Sequence, residues 1–362
     1  MLDCLGWLIM PKLKIGYLPI SNSLSSAGDR RRLVFWANNR GHEIVTSIDK
    51  SVDVIVASVN ADLNYDKYAD LSKPLVFDLV DAYFSPSSYI NDLARGLIKK
   101  ITNQMSGKLQ PFSKSVLEFA KFSDAVICSS IEQQEYIKEL NAHTYIILDS
   151  HEEFPFLNPN KNDNKKSKNL KLMWEGQPAT IGGFKYISSE LRRLSKKIDL
   201  EINLVTDENY FKLLNKYFEG ETMKLINREL LIKSIKTQII PWSTQKLVET
   251  ASESNFGVIP VDISHPMQRL KPENRLLIMW RLGLPVITSE TPAYLRVENE
   301  IGVKVTCKTN QEWTNNLLDF YQNPWLAEKQ VTLGQDYVRT MHNRSILLEK
   351  WDKVFNTVMD KP

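Results

Sequence analysis

Short apolar runs along this chain alternate with stretches whose apolar positions recur every three or four residues, a pattern that predicts strands alternating with helices and therefore parallel βα units. Lys14–Leu18 predicts the first strand, 21–28 a loop of small polar residues, and 29–39 a helix with Leu33, Val34, Trp36 and Ala37 turned inward. Strands are then expected at 44–46, 52–56 and 74–78, a helix over 89–108, and strands at 124–128 and 144–148. A polar, basic run over 158–169 carries no apolar period, and beyond it the alternation restarts. Strands are predicted at 170–174, 200–205, 238–242, 256–261, 284–287 and 301–305, with helices from 184, after 207, and at 243–251, 311–321 and 346–358. This predicts two doubly wound α/β domains, 1–157 and 170–340, joined by the linker 158–169, with a terminal helix within 341–362.

The stretch Lys271–Ser289 organises the second half. Pro272 is placed in the first turn of a helix, Leu276, Leu277, Met279 and Trp280 supply its apolar faces, and Gly283 ends it before the strand Leu284–Ile287. At the start of this helix Lys271, Asn274 and Arg275 surround free backbone N–H groups and the positive end of the macrodipole, an arrangement suited to a phosphate. The loop 175–183 holds Gly176, Gly182 and Gly183, which let backbone N–H groups approach a phosphate closely. The loop after the first strand is not G-x-G-x-x-G, so no dinucleotide site is assigned there. Asp78 and Asp81 fall at the carboxyl end of a strand, where open α/β sheets bind ligands.

A length of 362 residues accommodates two cores, and a net charge of +3 is too small to make nucleic acid the main partner. Cys4, Cys128 and Cys307 are odd in number and widely spaced, which argues against a disulfide framework or a zinc site and for a reducing compartment. The first ten residues are apolar but contain Asp3 and lack a basic n-region and a cleavage site. They read as an upstream translation start before Met10, or a small membrane-touching tag, rather than a signal peptide. Over 89–108, Arg95, Lys99, Lys100 and Lys108 interleave with Leu93, Leu97, Ile98, Ile101 and Met105, which fits either a packed surface helix with a basic face or an interfacial helix on anionic lipid. No D-x-D pair occurs.

Lys271 with Asn274-Arg275-Leu276, the helix closing in Gly283-Leu284-Pro285-Val286-Ile287, the Pro241-Trp242-Ser243 turn, the strand ending Ile259-Pro260-Val261 and the Trp174-Glu175-Gly176 strand end together resemble the GT-B glycosyltransferases of the retaining family four, over roughly 12–358. The resemblance implies an α/β GT-B fold: two Rossmann-like doubly wound domains facing a central cleft, with a C-terminal helix crossing back to the first. It implies a nucleotide-sugar donor as substrate, no cofactor and no metal, and transfer to a glycan or lipid-linked acceptor with retention, in bacterial surface polysaccharide synthesis. A cytoplasmic location with peripheral contact at the inner membrane follows from the same reading.

Carried over residue by residue, the resemblance makes Lys271, Arg275 and Asp81 the catalytic candidates. Gly176, Gln177, Lys185, Arg269, Asn274 and Glu273 are the donor-binding candidates, with His265 a weaker one; Ser25, Gly28 and His151 lie on the acceptor side. The chain departs from the family in two places. Many relatives have Arg directly after the glycine of the loop and Lys further on, whereas here Gln177 follows Gly176, and Lys185 would have to supply the charge. The family's two glutamates, spaced by seven residues, are replaced by Leu270 and Ile278, leaving Glu273 as the carboxylate for the donor ribose. An inverting enzyme would use Asp81 or His151 as base. The alternatives are a non-catalytic GT-B scaffold that binds nucleotide or glycan, and a GT-B enzyme of other chemistry such as a nucleotide-sugar epimerase.

Overall fold

The computed structural model describes residues 11–159, 169–213, 217–229 and 235–360. The chain forms two units: the chain up to Ser150 together with the chain from Arg344 onward, and His151–Asn343. The first unit is built on a six-stranded sheet of β1 (Lys14–Leu18), β2 (Glu43–Val45), β3 (Val54–Ser58), β4 (Leu75–Leu79), β5 (Ala125–Cys128) and β6 (Thr144–Ile146). All its pairs are parallel, in the order β2-β1-β3-β4-β5-β6. Helices cover both faces of such a sheet, so its central strands read as largely apolar runs; β3, β4 and β5 are buried at every position, Ser58 and Asp78 included.

The terminal helix Arg344–Met359 belongs to this first core. Its Trp351, Val354, Phe355 and Val358 pack with Leu33, Trp36 and Ala37 of the helix Leu33–Arg40. The Trp36 and Phe355 rings stack with centroids 4.1 Å apart, and Trp36 Nε1 donates to Asp352 Oδ1 at 2.7 Å. Buried indoles satisfy their N–H in this way.

The helix expected over 29–39 is instead two, Ala27–Arg30 and Leu33–Arg40, because two of its charges turn inward. The Asp29 carboxylate accepts from Tyr17 OH (2.7 Å), Ile20 N (2.8 Å), Ser21 N (2.9 Å) and the hydroxyls of Ser21 and Ser26 (2.8 and 2.6 Å), which pins the loop after β1. Arg32 is fully buried: it donates to both oxygens of Asp78 (3.0 and 2.6 Å), to Ile147 O (2.7 Å) and to Asp149 (3.3 Å). Asp78 is therefore a structural ion-pair partner inside the domain. Burial alone would lower the Arg32 pKa, but the Asp78 and Asp149 carboxylates outweigh it and hold the guanidinium firmly charged.

The second unit carries β7 (Asn169–Glu175), β8 (Asp199–Thr206), a hairpin of β9 (Asn209–Leu213) and β10 (Tyr217–Glu221), then β11 (Lys236–Pro241), β12 (Phe256–Ile259), β13 (Val286–Ser289) and β14 (Thr306–Cys307). Its main sheet is also parallel and six-stranded, ordered β11-β8-β7-β12-β13-β14. The helix expected directly after 207 is replaced by the antiparallel hairpin, since Tyr210 and Phe211 favour extended backbone, and the helix begins only at Thr222. The strand expected at 301–305 is instead the end of the helix Pro292–Ile301, closed by Gly302 at φ 65°, and β14 follows it. The helix expected over 89–108 stops at Ile101.

Residues 154–157 belong to the second unit, which begins at His151. Leu157 N donates to Arg281 O at 2.7 Å, Arg281 Nε donates to Phe154 O at 2.9 Å, and the Phe156 ring lies between the guanidinium carbons of Arg281 (4.1 Å) and Arg339 (4.3 Å). Residues 160–168 of the expected linker and the apolar opening 1–10 lie outside the described residues.

Candidate functional site

In the second sheet the chain runs from β7 to β8 on one side and returns to β12 on the other. The crevice at a topological switch point opens at the carboxyl ends of the two diverging strands, here β7 and β12. The segments that leave those ends are 176–183, which forms a 3-10 turn over Pro178–Gly183, and 260–265. Gly183 brings the two together: a Cβ there would sit 2.2 Å from Pro260 O. Val261 N donates to Ser289 Oγ at 2.9 Å, tying the β12 loop to the end of β13.

Gly176 keeps the register of the sheet edge, with its N–H on Val205 O (3.3 Å) and its carbonyl accepting Thr206 Oγ1 (2.7 Å). The Arg275 guanidinium occupies the space a side chain would fill, since a Cβ on Gly176 would lie 2.7 Å from Nη2 and 2.8 Å from Cζ. Nη2 donates to Thr180 Oγ1 at 2.9 Å, and Cζ lies 5.6 Å from the Trp174 ring centroid. Among the described residues no carboxylate comes within ion-pairing distance of Arg275. A positioned guanidinium with one hydrogen bond retains donors for a bidentate anion.

The helix that carries it, Asn274–Arg281, begins two residues later than Pro272 suggests, with Glu273 as N-cap and no side-chain cap bond. Its first-turn N–H groups are thus not closed by a capping side chain. The buried Asn274 Oδ1 has no hydrogen-bond partner among the described residues, an acceptor that a hydroxyl of a ligand, not a phosphate oxygen, would satisfy. Glu273 is 5% exposed, and its charge is felt by Tyr294 and Tyr337. Burial first, with Glu273 and Glu175 adding and Arg275 opposing, pushes the Tyr294 hydroxyl up to about 12. Lys271 is half-buried in the turn before the helix, Arg269 is exposed, and His265 caps the short helix Pro266–Arg269.

The other donor-side candidates are placed differently. Gln177 is exposed, and its carbonyl accepts from Thr180 N and Oγ1, both at 2.9 Å. Lys185 pairs with Asp262 at 3.3 Å and lies 4.6 Å over the Tyr186 ring. Asp262 would be raised by its partial burial, but bonds from Ser264, Tyr186 and Lys185 win and hold its carboxyl at about 2. With its charge already matched, Lys185 is expected to matter little for donor affinity. Lys185→Ala should change the nucleotide Kd by less than about threefold, the size of an exposed ion pair, in calorimetric titration.

In the first unit the loops after β1 and β4 meet at the carboxyl edge of the sheet. Gly28 stands where a Cβ would be 2.4 Å from Ile20 Cδ1 and 3.9 Å from Val80. Ser25 is exposed with its hydroxyl 2.7 Å from that of Ser23, and Asp81 is half-exposed just past β4, its carbonyl accepting Tyr83 N at 2.8 Å. His151 is 3% exposed and opens the second unit, where its carbonyl accepts Phe154 N at 3.0 Å.

Neither a family model nor a curated protein sequence matches the chain. Solved structures do. The chain is similar to sucrose-phosphate synthase from Thermosynechococcus elongatus at TM-score 0.58 and 12% identity, over 90% of this chain and 76% of that one. It is similar to WaaG, a glycosyltransferase involved in lipopolysaccharide biosynthesis, at TM-score 0.53 and 12% identity, over 94% and 99%. The chain adopts the GT-B fold. A mutant of S. aureus TarM in complex with fondaparinux, alpha-GlcNAc-glycerol and UDP matches at TM-score 0.55 and 11% identity, over 85% of this chain. The chain spans 56% of the length of that protein. Within this GT-B chain, sequence reasoning missed Thr180, which holds the guanidinium, and Asp262, which holds Lys185. Both stand in loops already singled out for Gly176 and for His265, and neither has a motif of its own.

Proposed function

We propose that this protein is a glycosyltransferase whose nucleotide-sugar diphosphate binds at the start of the helix Asn274–Arg281. The observation that carries this is Arg275, fixed over Gly176 by Thr180 at the switch point of the second sheet and lacking a carboxylate partner among the described residues. Loss of a nucleoside diphosphate from the sugar builds negative charge on the phosphates, and donors aimed at that charge lower the barrier. Arg275 and Lys271 supply the cations, Asn274 an amide, and the uncapped helix start its N–H groups. On this reading protein cations, not a metal, receive the leaving group. Retention follows if the departing phosphate deprotonates the acceptor hydroxyl on the same face. The acceptor is a glycan or a lipid-linked glycan, in bacterial surface polysaccharide synthesis at the cytoplasmic face of the inner membrane.

The test is a panel of nucleoside diphosphates and their sugars, titrated by calorimetry and then incubated with glycan and lipid-linked acceptors. One nucleotide is expected to bind at micromolar Kd, and its sugar to be transferred with the anomeric configuration unchanged by NMR. Binding without turnover of any donor would point to a scaffold, consistent with Leu270 and Ile278 at the family's glutamate positions. Silence from the whole panel would defeat the reading.

A further inference from the structure

In the first unit the helix Tyr89–Ile101 is packed with its polar side inward. The residues it buries are Asp92, Gly96 and Lys99, and each has a defined reason to face the domain. Asp92 accepts from Ser113 N at 3.1 Å and Ser113 Oγ at 2.5 Å, closing the first turn of the helix Phe112–Phe122. Gly96 presses on the backbone, with a Cβ there falling 2.1 Å from Gln110 O. Arg95 covers the Tyr83 and Phe112 rings at 4.5 and 4.9 Å, and Lys99 lies 4.7 Å from the Phe112 ring.

The opposite side is the apolar one, and it meets solvent. Ile90, Ala94, Leu97 and Ile101 follow one another at spacings of four, three and four, a single stripe of the helix. Ile90 is 77% exposed, Ile101 71% and Leu97 41%, and Tyr89 at the helix start is 68% exposed. A surface helix of a globular protein does the reverse. A contiguous exposed apolar stripe on a well-anchored helix marks a surface made to be covered.

Charge identifies the cover. The helix's only acid, Asp92, is buried, whereas Lys100, next to Ile101 in the helix, and Lys108, next to the Gly107 that Lys100 contacts, are exposed. Lys100 Nζ is held on Gly107 O, which keeps its charge at the end of the helix by Ile101. Apolar side chains flanked by lysines match the boundary between acyl chains and anionic headgroups. Among the described residues no helix is long and apolar enough to cross a membrane, so such a helix would lie in the surface plane. We propose that the outward face of Tyr89–Ile101 is a docking surface for an anionic lipid bilayer. This inference stands apart from the donor-site reading, because none of these residues belongs to that site.

The experiment is co-sedimentation of the full chain with vesicles of phosphatidylcholine containing about 30% phosphatidylglycerol, against vesicles of phosphatidylcholine alone. The wild type should bind the anionic vesicles, and binding should fall about tenfold without phosphatidylglycerol or in high salt. Ile90→Glu with Ile101→Glu should lower the partition coefficient by about 30-fold or more, and Lys100→Gln with Lys108→Gln by about tenfold. Thermal unfolding checks that each variant is folded. Should the glutamates lower the midpoint, Ile90→Ser with Ile101→Ser carries the same test. Equal binding by wild type and variants, or no binding by the wild type, overturns the proposal. So does a dimer in sedimentation equilibrium that the glutamate variant splits, because the cover would then be a second copy of the chain.

Discussion

Arg275→Ala is expected to cut kcat/KM for sugar transfer by about 100- to 1,000-fold, the effect of deleting one well-placed donor to a developing charge. The size follows from how the side chain is held. Its guanidinium lies where Gly176 has no side chain, beside the Trp174 ring and on the Thr180 hydroxyl. The ordering cost is therefore met before a ligand arrives. Arg275→Lys keeps the charge but loses the planar fork, so it should recover part of the nucleotide affinity and little of kcat. Steady-state kinetics with the donor found by titration would read the split. An alanine variant within about threefold of wild type would remove the diphosphate from this helix.

Arg32→Met is expected to cost about 3–5 kcal/mol of stability, because it strips a buried ion cluster of its cation. Asp78 is 1% exposed and Asp149 8%, and both would be left without their guanidinium. The loss also frees the Ile147 carbonyl, which accepts from Arg32 at 2.7 Å. Urea unfolding at neutral pH should show the shift in midpoint. Replacing Arg32, Asp78 and Asp149 together by apolar residues of similar volume should restore most of it, since the desolvation of the acids is removed with the cation. A shift under about 1 kcal/mol in the single variant would mean that water reaches the cluster.

The sequence made the architecture readable because both sheets are covered on two faces. Their strands are therefore short, largely apolar runs such as 54–58 and 75–79, the second interrupted only by Asp78. The helix 274–281 was legible for the same reason, being buried from Leu276 to Trp280. What stayed hidden depends on long-range partners. Nothing local distinguishes Arg32, at the core of a domain, from Arg30 and Arg31 beside it; its role comes from Asp78 and Asp149, far along the chain. Lys185 is a phosphate candidate by sequence alone, and its pairing with Asp262, 77 positions along the chain, shows only in the fold. The helix 89–101 had the pattern of an amphipathic helix, but a pattern does not say which side faces in. Asp92 and Gly96 decide that through contacts with residues 110–113.

The terminal helix has a consequence for biosynthesis. The first domain is made from both ends of the described chain, and the whole of 151–343 is inserted between its parts. A ribosome delivers domains in order, and a domain completed early normally folds early. Here the second domain is continuous and emerges with all its strands before Trp351, Val354 and Phe355 exist to cover Trp36. The half that starts first therefore finishes last. Until its final helix is released, the nascent protein carries a finished downstream domain and an upstream sheet with one side of its apolar core still open.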